Sequence, residues 1–169
     1  LDAIAPKNEK VLIFLESLDL QEANQLPLLL QRRYKILHMP MVINGQVQTE
    51  ARQQRVNKFQ QESGFDVMLL SPKAGGVGLT LTAANHVIHL SRWWNPAVED
   101  QCSDRVYRIG QTKPVHIYYP LAVIPGAEEH SFDVQLQALM DRKRKLAHDL
   151  LAAPAFSSRD YESLLASIS

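Results

Sequence analysis

The sequence predicts an α/β fold with a mostly parallel central sheet covered by helices on both faces. Short apolar runs recur along the chain, as in strands buried on both sides. Between them lie stretches with helical spacing, which implies crossover connections and parallel strands. The 169 residues are 46% apolar and 21% charged, enough for a packed core and a solvated surface.

Lys10-Val11-Leu12-Ile13-Phe14-Leu15 reads as the first strand. Asp19 to Tyr34 follows with leucines at 20, 26, 29 and 30 at helical spacing. Pro27 must kink that helix or split it. Lys35 to Met39 reads as a second strand. Thr49 to Gln60 reads as a helix with Arg52, Val56 and Phe59 in register, and Thr49 is a plausible cap. Asp66 to Leu70 and His86 to Leu90 are the third and fourth strands. Pro96 to Tyr107 fits a helix with proline in its first turn. Val115 to Val123 gives a fifth strand. Glu128 to Leu151 reads as one amphipathic helix, with Leu136, Leu139, Met140, Leu146 and Leu150 as its apolar stripe. A short separate helix is expected over Asp160 to Ile168, after the breaker Pro154. The expected division is a lobe over 1–125 and a helical extension over 126–169 that packs on it.

Eighteen basic residues balance eighteen acidic ones, so any nucleic-acid site must come from local clustering. Cys102 is the one cysteine; that excludes an internal disulfide framework and a zinc finger, and it fits a reducing compartment. No apolar run approaches the length of a membrane span, and the amino end carries no signal-peptide pattern. The chain begins at Leu1 without methionine and reads as a piece of a longer protein. Its six histidines show no metal-ligand spacing, since His86 and His89 fall on opposite faces of a strand. No metal site is expected.

Two stretches carry chemistry. Ser71 to Thr80 leaves the third strand with Gly75, Gly76 and Gly78 close together. Such glycines uncover backbone amides and suit close approach to a phosphate or ribose; a plain strand-to-helix turn explains them as well. The string GxxxxGK[ST] of a phosphate-binding loop occurs nowhere in the chain. The second stretch is Glu99 to Gln111. On the expected helix Arg105 and Arg108 share a face, with Gln101 one turn before and Asp104 placed to orient one guanidinium. Two converging guanidinia make a clamp for a transferring phosphoryl group. A solvated salt-bridge face is the alternative.

Taken together and in order, these stretches resemble the second RecA-like lobe of the SWI/SNF-related DNA translocases, a group of superfamily two helicases. Lys10–Leu15 resembles the family's fourth motif, and Ile43-Asn44-Gly45 with Arg52 and Phe59 its DNA-contacting element. Leu69 to Thr82 with Trp94-Asn95-Pro96 resembles the fifth motif. Gln101 to Gln111, ending in Arg-Ile-Gly-Gln, resembles the sixth. The chain departs at Ser91-Arg92-Trp93, at Pro72, at Tyr107 and over Gly126 to His130, which looks closer to bacterial members.

The resemblance implies that ATP with Mg²⁺ is shared with an N-terminal RecA-like lobe of the same polypeptide. It makes Arg105 and Arg108 the arginine fingers. Gly75, Gly76, Gly78, Gln101 and Asp104 are implied on the nucleotide side. Asn44, Gly45, Arg52, Ser71, Lys73, Thr80, Arg92 and Trp94 are the DNA-facing candidates, on double-stranded DNA. The implied setting is the bacterial cytoplasm at the nucleoid, or the nucleus in a eukaryote. The chain alone is expected to be monomeric, away from membranes and without ATPase activity. A non-catalytic nucleic-acid or phosphate-binding module, and a lobe of a strand-separating helicase, are the alternatives.

Overall fold

The computed structural model describes residues 1–73 and 78–151. The chain divides into two compact units, Leu1–Ala122 and Val123–Ser169.

The first unit is built on a five-stranded sheet. Its strands are β1 (Lys10–Phe14), β2 (Met41–Ile43), β3 (Asp66–Leu70), β4 (Ala84–His89) and β5 (His116–Tyr118). They lie in the order β2-β3-β1-β4-β5, and every pairing is parallel. β1 and β3 are buried along their whole length, as expected of strands covered on both faces. Alternation along β1 sends its side chains into two cores. Leu12 and Phe14 join Ile43, Val56, Phe59, Met68 and Leu70 on one face. Val11, Ile13 and Leu15 join Leu30, Ile36, Val67 and Leu69 on the other.

The helices are α1 (Leu18–Gln21), α2 (Leu26–Tyr34), α3 (Thr49–Gln61) and α4 (Pro96–Ser103). Pro27 splits the Asp19–Tyr34 stretch and sits in the first turn of α2, where its missing N–H costs nothing. Four expectations are corrected in the first unit. The second strand is Met41–Ile43, not Lys35–Met39, because Lys35 is the left-handed C-cap of α2 (φ 52°), and β2 forms only beyond Pro40. Gln48, not Thr49, holds the N-cap position of α3, without a side-chain cap. The fifth strand spans only His116–Tyr118. α4 stops at Ser103, so Arg105 and Arg108 lie in turns beyond it.

In the second unit the stretch from Glu128 is broken into a 3₁₀ turn at Glu128–His130 and α5 at Phe132–Leu151. Ser131 makes the break, since its hydroxyl accepts from the Ile124 N–H at 2.8 Å and donates to the Ala127 carbonyl at 3.3 Å. Leu136 and Met140 of the stripe are buried, whereas Leu146 is exposed. The basic run at 142–145 is largely exposed, with Arg144 paired to Asp141 at 3.6 Å. The expected helix over 160–168 lies outside the described residues.

Candidate functional site

The candidate residues fall into two groups on the first unit. The first group follows the carboxyl ends of the strands. Ladder bonds carry past the strand ends there: the Ser71 N–H donates to the Ile43 carbonyl at 2.9 Å, and the Leu15 N–H to the Leu70 carbonyl at 3.0 Å. Asn44, Ser71 and the segment from Leu90 to Trp94 therefore line one edge, the usual ligand side of a parallel sheet.

Several side chains on this edge shape the chain instead of facing outward. Asn44 is buried; its amide donates to Gln21 Oε1 at 3.0 Å, and its Oδ1 accepts from the Gln46 N–H at 3.0 Å. Arg52 donates to the Val47 and Asn44 carbonyls at 3.0 and 3.3 Å. Both thereby hold the turn that presents Gly45, which has open space around it. Ser71 is buried. Arg92 is corrected most sharply: its guanidinium is withdrawn from the surface. Its Nε and Nη2 bond the two Glu99 oxygens at 2.8 and 3.4 Å, and the Glu99 side chain is fully buried. The same Glu99 oxygen accepts from the Trp93 N–H. Arg92 also lies 4.5 Å over the Tyr119 ring, which stacks on His89, which stacks on Phe14. The pair thus anchors the approach to α4 in the sheet. Outward-facing groups on this edge are Lys73, whose ammonium stands 5.9 Å over the Trp93 ring, and Trp94, which is 60% exposed. Trp94, not Trp93, is the tryptophan turned to solvent.

The second group gathers at the exit of α4, beside the residues that lead into β4. The Leu81 N–H donates to the Arg105 carbonyl at 3.0 Å. The Gln111 amide bonds the Thr82, Ala84 and Val106 carbonyls at 3.1, 2.7 and 3.4 Å, fixing the arginine segment against the start of β4. Between them Gly110 turns the chain at φ 103°, a conformation only glycine adopts at ease. Arg108 is exposed, its Nε on the Asp104 carbonyl at 3.1 Å and its Nη1 on Thr80 Oγ1 at 3.2 Å and the Gly78 carbonyl at 3.4 Å. Thr80 therefore belongs to this group, not to the carboxyl edge. Arg105 is only 3% exposed, and its Nε has no hydrogen-bond partner among the described residues. Burial, then the neighbouring Arg108 charge, depress its pKa. The two arginines do not share a helical face, as the sequence suggested; a turn brings them together. Gln101 and Asp104 are both exposed. Gly75 and Gly76 lie outside the described residues.

Glu99, Tyr119 and Gln111 escaped the sequence reading as positioning groups. Glu99 carries the signal of a carboxylate in a helix's first turn, but nothing in the spacing ties it to Arg92.

An all-parallel sheet with a cationic turn packed against the residues that lead into β4 defines a RecA-like lobe. The chain belongs to the family described as the helicase conserved C-terminal domain, which matches residues 2–110. Within it the likeness is to SWI2/SNF2 ATPases. The C-terminal part of the Fun30 ATPase domain matches at a TM-score of 0.68 and 31% identity, over 81% of this chain and 41% of that one. The Sulfolobus solfataricus SWI2/SNF2 ATPase core in complex with dsDNA matches at a TM-score of 0.65 and 28% identity, over 89% of this chain and 29% of that one. Zorya protein ZorD of Escherichia coli O139:H28 (strain E24377A / ETEC) is 43% identical over 163 residues, 93% of this chain and 14% of the relative. The chain thus spans about one seventh of that relative's length.

Proposed function

We propose that the chain is the second motor lobe of an ATP-dependent double-stranded-DNA translocase or remodeller. ATP binds between it and an N-terminal RecA-like lobe of the same polypeptide. Arg105 carries this reading. Among the described residues, a buried guanidinium with an unpartnered Nε, beside a second guanidinium and with the exposed Asp104 as a weaker counter-charge, is an incomplete charge arrangement that an anion completes. Phosphoryl oxygens fit it. Magnesium does not fit the exit group, which among the described residues offers cations, carbonyls and the exposed Asp104; its ligands would come from the other lobe.

When bound, ATP supplies the phosphoryl group to be transferred. Arg105 and Arg108 stabilise the charge that develops on its oxygens, a contribution of roughly three to five orders of magnitude in turnover for an arginine finger. Gly78 and Thr80 hold Arg108 in place. Gly45, Lys73 and Trp94 face the DNA backbone, gripping phosphates without reading bases. The location follows: bacterial cytoplasm at the nucleoid, or a nucleus.

The purified chain tests the division of labour. It is expected as a monomer without ATP turnover, binding duplex DNA weakly and with strong salt dependence. Turnover by the chain alone that Arg108→Ala abolishes contradicts the proposal. So does tight, salt-insensitive, sequence-specific binding in a titration.

A further inference from the structure

We propose that His38, Glu62 and Asp66 form a structural site for a divalent transition-metal ion of the zinc type. It is independent of the function proposed above. One ligand atom from each residue lies within 4.8 Å of the others. His38 is in the segment before β2, Glu62 is the C-cap of α3, and Asp66 opens β3.

The tautomer decides the chemistry. His38 Nδ1 lies 3.1 Å from the Met39 carbonyl, and a carbonyl only accepts, so Nδ1 carries the proton. That leaves Nε2 as the ring nitrogen facing the carboxylates. It meets a Glu62 carboxylate oxygen and stands 3.6 Å from Asp66 Oδ2. Asp66 is buried, and its Oδ1 accepts from the Val67 N–H at 2.7 Å. Among the described residues its Oδ2 has no hydrogen-bond partner. One imidazole nitrogen and two carboxylate oxygens thus converge, a donor set that a divalent cation can bind. Imidazole and carboxylates are ordinary zinc ligands at about 2.0–2.2 Å, which puts neighbouring ligand atoms roughly 3.3–3.6 Å apart in a tetrahedron. The carbonyl-bound Nδ1–H is the usual outer partner of a metal-ligating histidine.

The neighbouring cations are directed elsewhere. Lys10 donates to the Phe59 carbonyl and, at 2.5 Å, to the Glu62 carbonyl. Lys58 pairs at 3.7 Å with the other Glu62 oxygen. Glu62 and His38 are partly open to solvent, giving the ion an access route and a water as fourth ligand. The bound ion would tie the end of α3 to the segments that start β2 and β3.

The test is a calorimetric titration of the full chain with Zn²⁺ at pH 7.5 after chelator treatment. Expected are one ion per chain and a Tm rise of about 5–10 °C at a hundredfold excess over Kd. Affinity should fall at least tenfold in His38→Gln and in Asp66→Asn. Exposed His130→Gln should bind like the parent. If Asp66→Asn fails to fold, the more exposed Glu62→Gln serves. Co²⁺ should give visible bands that His38→Gln removes. The site is overturned by no stoichiometric uptake in the parent chain, or by uptake indifferent to His38→Gln. Nitrogen NMR that finds His38 Nε2 protonated in excess Zn²⁺ overturns it equally, since a proton then holds the carboxylates together.

Discussion

Two buried guanidinium groups flank α4, and they are treated oppositely. On the approach, Arg92 meets Glu99 through two hydrogen bonds and lies on Tyr119. At the exit, Arg105 is buried too, but the largest charge effect on it is that of the like-charged Arg108, with Asp104 a smaller opposing one. A paired buried charge holds structure, and breaking the pair is costly. An unbalanced one marks a candidate site for a ligand that completes it, as proposed above for Arg105. Burial alone therefore does not separate structural from functional arginines. The partner does.

The largest effect should fall on the exit. In the longer protein, Arg105→Ala and Arg108→Ala should each lower DNA-stimulated ATP turnover by about three orders of magnitude or more, leaving duplex binding near normal in a filter assay. On the approach the loss should be of folding. Glu99→Ala leaves Arg92 buried without its counter-charge and should cost about 3–5 kcal/mol in a urea titration. Reversing the two outcomes would reverse the two roles.

Cys102 lies in the core near Arg105, and burial pushes its thiol from 9.0 up to about 11. In the folded chain it should stay unreactive to alkylation at pH 8, with rapid labelling in denaturant. The raised value also gives a direction. The unfolded thiol loses its proton first, so this contribution to stability, complete below about pH 9, fades as pH rises toward about 11. The smallest effect is expected at Arg33 and Asp2, an exposed pair at 3.1 Å. Arg33→Ala should leave Tm nearly unchanged.

Much of this organisation was legible in the residues. β1 and β3 showed as unbroken apolar runs because both faces are buried, and Pro27 marked the split before α2. The second strand was misplaced because Ile36 and Leu37 look strand-like. Ile36 is instead a core residue beside a left-handed Lys35, and Leu37 is almost wholly exposed. The arginine pair was visible, but its geometry was not. Helical spacing put Arg105 and Arg108 on one face, whereas α4 ends at Ser103 and Gln111 folds the segment back onto β4. Arg92 was read as a surface contact since its partner is fixed by three-dimensional packing. His38, Glu62 and Asp66 likewise meet only in the fold, from segments too far apart for any ligand spacing to show.

The exit pair is tested most directly by exchanging Arg105 for lysine in the longer protein, then measuring nucleotide affinity and single-turnover hydrolysis on the same sample. Lysine keeps the charge but not the planar, forked contact. If the pair acts on charge developed in the transition state, ATP should bind within a few-fold of the parent while hydrolysis falls by about a hundredfold or more. Hydrolysis near the parental rate together with a collapse of DNA binding would contradict it, and would assign the exit arginines to the DNA track.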